Sequence, residues 1–241
     1  MIDINALVFY PTPDHNCSYL DGRQAKSIFL SPDQPLDEST YMQLTDMGFR
    51  RSGKHIYRPW CDACGECKSV RVPVDNFNAS NSQQRVLKRN QDLHVSFHMP
   101  SSSDEIYALY ADYISQRHGD GDMYPPSLDQ FESFLCQAPA ASRTRFICFR
   151  LKQKLLAVAV IDLLPKGLSA IYTFFDPAYD SRSLGRLAVL WQIRWAQAHR
   201  MDFVYLGYWI KECQKMAYKA EYEPLQVFED LIWQPLKRKE P

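Results

Sequence analysis

Three thiols fall within one short run, Cys61-Asp-Ala-Cys64-Gly-Glu-Cys67, and a fourth, Cys17, lies upstream in His15-Asn-Cys-Ser-Tyr-Leu20. Thiolates select zinc or an iron–sulfur centre over hard cations. Cys17, Cys61, Cys64 and Cys67 are therefore a candidate metal set, with His15 and His55 as spare ligands; reduced, packed thiols are the other reading. Cys136, Cys148 and Cys213 fall in predicted elements and read as core residues. A second segment, Thr173-Phe-Phe-Asp-Pro-Ala-Tyr-Asp-Ser-Arg-Ser-Leu-Gly185, hands a strand over to a helix. Free N–H groups at a helix start bind a phosphate or polarise a carbonyl. Ser183, Leu184 and Gly185 are thus candidate catalytic positions. Asp176 is a candidate anchor for an amino group or, equally, a turn residue ahead of Pro177. A third segment, Tyr205-Leu-Gly-Tyr208-Trp-Ile-Lys-Glu-Cys-Gln-Lys215-Met-Ala-Tyr218-Lys219, interleaves aromatics with lysines. Tyr208 and Tyr218 could stack on a base while Lys215 and Lys219 meet phosphate; a core strand followed by a solvated helix face has the same pattern.

The charge is unevenly distributed. The 241 residues carry 28 basic and 28 acidic side chains, which excludes a uniformly basic nucleic-acid coat. Residues 50–89 nevertheless hold nine bases against three acids, and residues 101–141 seven acids against one base. A polyanionic partner on one face is the expectation. Arg50, Arg51, Lys88 and Arg89 are candidate contacts to phosphate or to an acidic substrate. No apolar stretch approaches the ~20 residues of a membrane span, and the first residues do not read as a secretory signal, so a cytoplasmic protein with reduced cysteines is expected.

These segments need elements to position them. Residues 1–78, rich in proline and turns, predict a small cysteine-rich N-terminal domain of short strands around one helix at 38–47, closed by Gly48. The polar stretch 76–84 reads as a linker. Residues 79–241 predict a second domain: a basic helix at 82–90, then a strand (93–99), helices at 104–117 and 127–137, and three close strands at 145–151, 155–163 and 168–175. A long helix at 183–199 is expected to bury Leu184, Leu187, Ala188, Trp191 and Trp195; a strand (203–208), a short helix (212–220) and a last strand (225–228) follow. The fold class is α+β with a central mixed sheet, and the order of elements resembles the GCN5-related (GNAT) acyltransferases.

Longer strings carry a more specific resemblance. Phe49-Arg-Arg-Ser-Gly-Lys-His-Ile-Tyr-Arg-Pro-Trp-Cys61-Asp-Ala-Cys64-Gly-Glu-Cys67-Lys-Ser-Val-Arg-Val72 resembles the N-terminal signature of the aminoacyl-tRNA–protein transferases. Ser183-Leu-Gly185, Tyr205-Leu-Gly-Tyr208 and Lys215-Met-Ala-Tyr-Lys219 resemble their C-terminal signature, so the match spans nearly the whole chain. Its size and three-cysteine run are most similar to the bacterial branch. That resemblance implies transfer of leucine from leucyl-tRNA to proteins with N-terminal Asp or Glu, marking them for N-end rule degradation; eukaryotic relatives transfer arginine. Some relatives hold a metal or iron–sulfur centre at an early Cys-x-x-Cys, whereas this chain has Leu20 where the second cysteine would stand.

The implied chemistry is aminolysis of an activated ester by an α-amine of reference pKa ~7.7–8.0. Positioning and oxyanion donors can supply most of the rate, and no cofactor is required. Arg50, Arg51, Lys88, Arg89, Lys215 and Lys219 would then meet the tRNA acceptor arm or the acidic residue. Tyr208 and Tyr218 would line the leucyl pocket or stack on the tRNA end. Arginine rather than leucine as the transferred residue is one alternative, and two rival functions stand beside it. One is an acetyl-CoA-dependent N-acetyltransferase, for which only half of the phosphate loop is present, Arg182-Ser-Leu-Gly185. The other is a non-catalytic RNA-binding module.

Overall fold

In the computed structural model, residues 3–237 are described. Fourteen strands and six α-helices lie along them. The chain opens with β1 (Phe9–Pro11), a two-residue ribbon of β2 (His15–Asn16) and β3 (Gln24–Ala25), and β4 (Ser27–Leu30). Helix α1 (Glu38–Asp46) starts at Asp37, whose carboxylate accepts from Thr40 N–H at 2.7 Å. It stops where Gly48 adopts φ +82°. Strands β5 (Arg50–Ser52), β6 (His55–Pro59) and β7 (Lys68–Pro73) follow.

Helix α2 (Asn81–Arg89) begins with a reciprocal capping box between Ser80 and Gln83, so part of the expected linker is a helix start. After β8 (His94–His98) comes α3 (Asp104–Arg117), which buries Ile106, Tyr110 and Ile114 at four-residue spacing. The helix expected at 127–137 is split into α4 (Leu128–Phe131) and a wider π-turn, Glu132–Cys136. Strands β9 (Thr144–Leu151), β10 (Lys154–Leu164) and β11 (Gly167–Phe175) lead to α5 (Leu184–Ala198). Then come β12 (Phe203–Trp209), α6 (Gln214–Ala217), β13 (Gln226–Glu229) and β14 (Ile232–Pro235). The helix expected at 212–220 is thus one short turn of α-helix with a 3-10 turn behind it.

A mixed eight-stranded sheet, in the order β14-β13-β7-β12-β11-β10-β9-β8, forms the centre of the molecule. Residues 155–161 of β10 form an unbroken apolar run because both faces of the strand are covered. Ala157, Ala159 and Ile161 pack toward α5, while Leu155, Val158 and Val160 pack toward α3. Trp191 and Trp195 are only half-buried; they close the edge by packing on Phe97, with centroids 5.5 and 5.2 Å away.

The expected domain boundary at residue 78 falls after β7, and β7 is an inner strand of this sheet, antiparallel to both β12 and β13. The smaller sheet, β1-β4-β6-β5, shares a core with α1 and with Leu164 and Tyr205 of the large one. A buried network joins the two sheets. Arg51 pairs with Asp162 at 2.7 and 2.9 Å, and Tyr41 and Thr144 donate to the same carboxylate at 2.6 and 2.7 Å.

Candidate functional site

The parallel pair β11/β12 makes the opening. It is in register only from Gly167↔Phe203 to Ser169↔Tyr205, after which the strands are no longer paired. Gly167 allows the tight start: a Cβ there would lie 2.5 Å from the Phe203 carbonyl oxygen. Gly207 follows with φ +80° at a shift in the β12 register, and a Cβ there would stand 3.4 Å from the Arg50 guanidinium.

The resulting cleft has a volume of about 1270 Å³. One wall is β11, with Ala170, Ile171, Tyr172, Thr173 and Phe175. A second wall is the first two turns of α5, with Ser183, Leu184, Gly185, Arg186 and Val189. The remainder comes from Leu206, from Cys213 to Lys219 around α6, from the loop carrying Cys17 and Tyr19, and from the end of α3 with Arg117 and His118.

Ser183 sits at φ 54° and its side chain does not cap α5. The Leu187 N–H bonds back to Ser183 O at 2.9 Å, but among the described residues no acceptor meets the N–H groups of Leu184, Gly185 or Arg186. They are free donors with the helix dipole behind them. A Cβ at Gly185 would stand 3.3 Å from the Phe175 ring, so this glycine lets the helix start lie against β11. The turn before it is pinned from α2. Arg89 donates to Ser181 O, Asn90 to Arg182 O at 2.9 Å, and Arg182 grips Asp92 through two 2.8 Å bonds.

The sequence candidates separate into three groups. Ser183, Leu184, Gly185, Lys215, Tyr218 and Lys219 all line the cleft. Lys88 and Arg89 lie outside it on α2: Lys88 is exposed, and Arg89 serves the turn before α5. Arg50, Arg51, Tyr208 and Asp176 are buried in the fold and correct the roles expected of them. Arg51 is consumed by Asp162, and both side chains are fully shielded from solvent. The Tyr208 hydroxyl faces the carbonyls of Gly48 at 3.0 Å and Tyr57 at 3.3 Å, so its ring wedges the two sheets together rather than offering a stacking face. Asp176 accepts from Ala178 N–H at 2.9 Å and pairs with Lys154 at 2.8 Å, which makes it a turn residue. Arg50 donates to Ser169 Oγ at 2.8 Å and to Ala170 O, lying behind the cleft wall.

Three groups went unrecognised in the sequence. Arg117, His118 and Tyr172 are isolated residues of ordinary type, and only the meeting of α3 with β11 gives them a shared site. The Tyr172 hydroxyl is buried with no partner among the described residues. His118 contacts the Tyr113 hydroxyl at 3.2 Å, and burial, with Lys215 nearby, holds its imidazole below the usual range.

Among the described residues, all but one of the cleft's lysines and arginines are paired. Arg117 meets Asp180 at 2.8 Å, Arg186 meets Glu221 at 2.8 Å, and Lys215 meets Asp120 at 3.4 Å. Lys219 is only 7% exposed and donates to the Tyr208 carbonyl at 2.5 Å and to Met216 Sδ at 3.3 Å. Burial above all, then the Arg50 charge, lowers its ammonium to a pKa of about 7.

The four N-terminal cysteines lie near one another, since Cys61, Cys17 and Cys64 all bear on Cys67; burial first, then these thiols, push Cys67 up to about 12. Cys64 accepts from Arg23 at 3.4 Å, and Cys61 exchanges hydrogen bonds with the Lys26 backbone at 3.5 and 3.6 Å. Among the described residues, no three His, Cys, Asp or Glu side chains are arranged to hold a metal ion. Among the same residues, no helix is long and apolar enough to cross a membrane.

Comparison with known proteins matches residues 15–85 to the family described as "Arginine-tRNA-protein transferase, N terminus" and residues 105–229 to its C terminus. The aspartate/glutamate leucyltransferase of Pseudomonas fluorescens (strain Pf0-1) is 52% identical over 233 residues, covering 97% of this chain and 98% of its own length. That of Hahella chejuensis (strain KCTC 2396) is 51% identical, covering 97% and 99%. Among solved structures, one titled "Crystal structure of FemX" aligns at a TM-score of 0.45 and 8% identity over 88% of this chain and 82% of that one.

Proposed function

Because the chain belongs to the arginine-tRNA–protein transferase family, we propose that it transfers leucine from leucyl-tRNA to the N-terminal Asp or Glu of target proteins. The products carry an N-terminal leucine and enter N-end rule degradation. The observation that supports this reading best is the cleft at the parting of β11 and β12. At about 1270 Å³ it exceeds the ~300–1,000 Å³ of a pocket for one small ligand and has room for two substrate ends.

The free N–H groups of Leu184 and Gly185 face the position of the ester carbonyl and stabilise its oxyanion. The acceptor α-amine attacks that carbon; a C–N bond forms, the ester C–O bond breaks, and the amine proton ends on the departing ribose hydroxyl. His118, held neutral near cellular pH, relays that proton. Ile171, Leu206 and Met216 offer the leucyl side chain an apolar lining. Lys88, exposed and free of any ion pair among the described residues, and Lys215 at the cleft rim meet phosphates of the acceptor arm. The test is a transfer assay with tRNA charged with labelled leucine or arginine and peptides beginning with Asp, Glu or Ala. Label appearing from leucine on Asp and Glu peptides alone supports the reading; label on Ala peptides, or from arginine, refutes it.

A further inference from the structure

Lys219 stands apart from every other lysine and arginine of the cleft. Arg117, Arg186 and Lys215 each meet a carboxylate and lie at the rim, with side chains 45 to 61% exposed. Lys219 is deep in the wall, and among the described residues its ammonium has no carboxylate partner, only the Tyr208 carbonyl and Met216 Sδ. A second buried cation, Arg50, opposes its charge, and among the described residues Arg50 is bound only to neutral oxygens, those of Ser169 and Ala170.

Two buried cations without a counter-charge are costly to fold. An anion entering the cleft would supply what the fold omits. On the reading above, two anions reach this site: RNA phosphates and the carboxylate of the acceptor's first side chain. Phosphates along a nucleic-acid backbone are met by exposed cations, whereas Lys219 offers a single donor in a nearly closed recess, which suits one small carboxylate. An uncharged Asn or Gln in the same place would leave the cation unpaired, so the site rejects them as well as welcoming Asp and Glu.

We propose that Lys219, backed by Arg50, is the residue that selects an acidic N-terminal side chain in the acceptor. The proposal rests on the leucyl-transfer reading. Wild-type enzyme is first assayed with leucyl-tRNA and peptides beginning with Asp, Glu, Asn or Gln; absence of any transfer overturns that reading before a variant is made. With transfer established, Lys219→Met should lower the ratio of kcat/KM for Asp over Asn by about 30-fold or more, chiefly through KM for the Asp peptide. Its affinity for leucyl-tRNA, measured by filter binding, should stay within about twofold. Lys219→Arg keeps the charge and should retain part of the preference, and it serves as the test if the Met variant fails to fold. An unchanged Asp-over-Asn ratio in folded Lys219→Met, or complete loss of the preference in folded Lys219→Arg, overturns the proposal. So does loss of leucyl-tRNA binding with the ratio preserved, which would assign the recess to phosphate.

Discussion

Lys219→Met should make the protein more stable while damaging its selectivity. Lys219 is 7% exposed, and its pKa moves from an ordinary 10.5 to about 7. Between those values the unfolded chain holds a proton that the folded chain has released. Stability therefore rises with pH across that window, and the penalty is complete below about pH 7. At 1.36 kcal/mol per pH unit, the displacement from 10.5 to about 7 amounts to roughly 5 kcal/mol. Methionine escapes that cost but strands the Tyr208 carbonyl, which now accepts from Lys219 at 2.5 Å; an unpaired buried carbonyl costs about 1–3 kcal/mol. The net gain near pH 6.5 is about 2–4 kcal/mol, or roughly 5–10 °C in melting temperature for a chain of this size. Thermal melts of both proteins at pH 6.5, 7.5 and 9 test it. The gain should shrink as pH rises, because the wild-type lysine is increasingly neutral. A variant that melts below wild type at pH 6.5, or a difference that ignores pH, would refute the buried-charge reasoning.

Other outcomes follow from the same geometry. Arg51→Met leaves Asp162 buried without its cation and should cost about 3–5 kcal/mol, seen as a melting point about 10 °C lower, while the KM for Asp peptides of the folded fraction stays unchanged; a raised KM would return Arg51 to the substrate pocket. Gly185→Val places a branched side chain against the Phe175 ring, which would lie only 3.3 Å from the new Cβ; transfer should fall about tenfold or more with circular dichroism unaltered, and near-normal kcat would remove the α5 start from the chemistry. Lys88→Ala should reduce the slope of log affinity for tRNA against log salt by about 1, and an identical slope would take α2 out of the RNA interface. Cys67, its thiol pushed up to about 12, should be the slowest of the four N-terminal cysteines to react with iodoacetamide at pH 8; peptide mapping that finds it labelled first would contradict its protonated state.

Local information in the chain was enough for one helix and three strands of the second half, though not for the helices expected at 127–137 and 212–220. The expected helix at 104–117 coincides with α3, and the strands expected at 145–151, 155–163 and 168–175 fall within a residue of β9, β10 and β11. These segments carry strong periodicity, clear turns and caps, all readable within a few residues. The N-terminal region was harder because its strands are short and its partners distant: β7 pairs with β12 and β13, at least 130 and 150 residues later in the chain.

The same distinction runs through the site. Ser183-Leu-Gly185 and Lys215 to Lys219 were legible because each is a contiguous run whose residue types fit a helix start or a basic aromatic surface, and they do meet across the cleft. The basic run at 50–89 was legible as charge but not as location. A sequence shows that an arginine is present, not whether a carboxylate more than a hundred residues away neutralises it, and Asp162 does so for Arg51. Burial, pairing and the parting of β11 from β12 depend on contacts between distant segments, and those contacts turn Arg51 into a strut, Tyr208 into a wedge and Lys219 into a buried lysine with no carboxylate partner among the described residues.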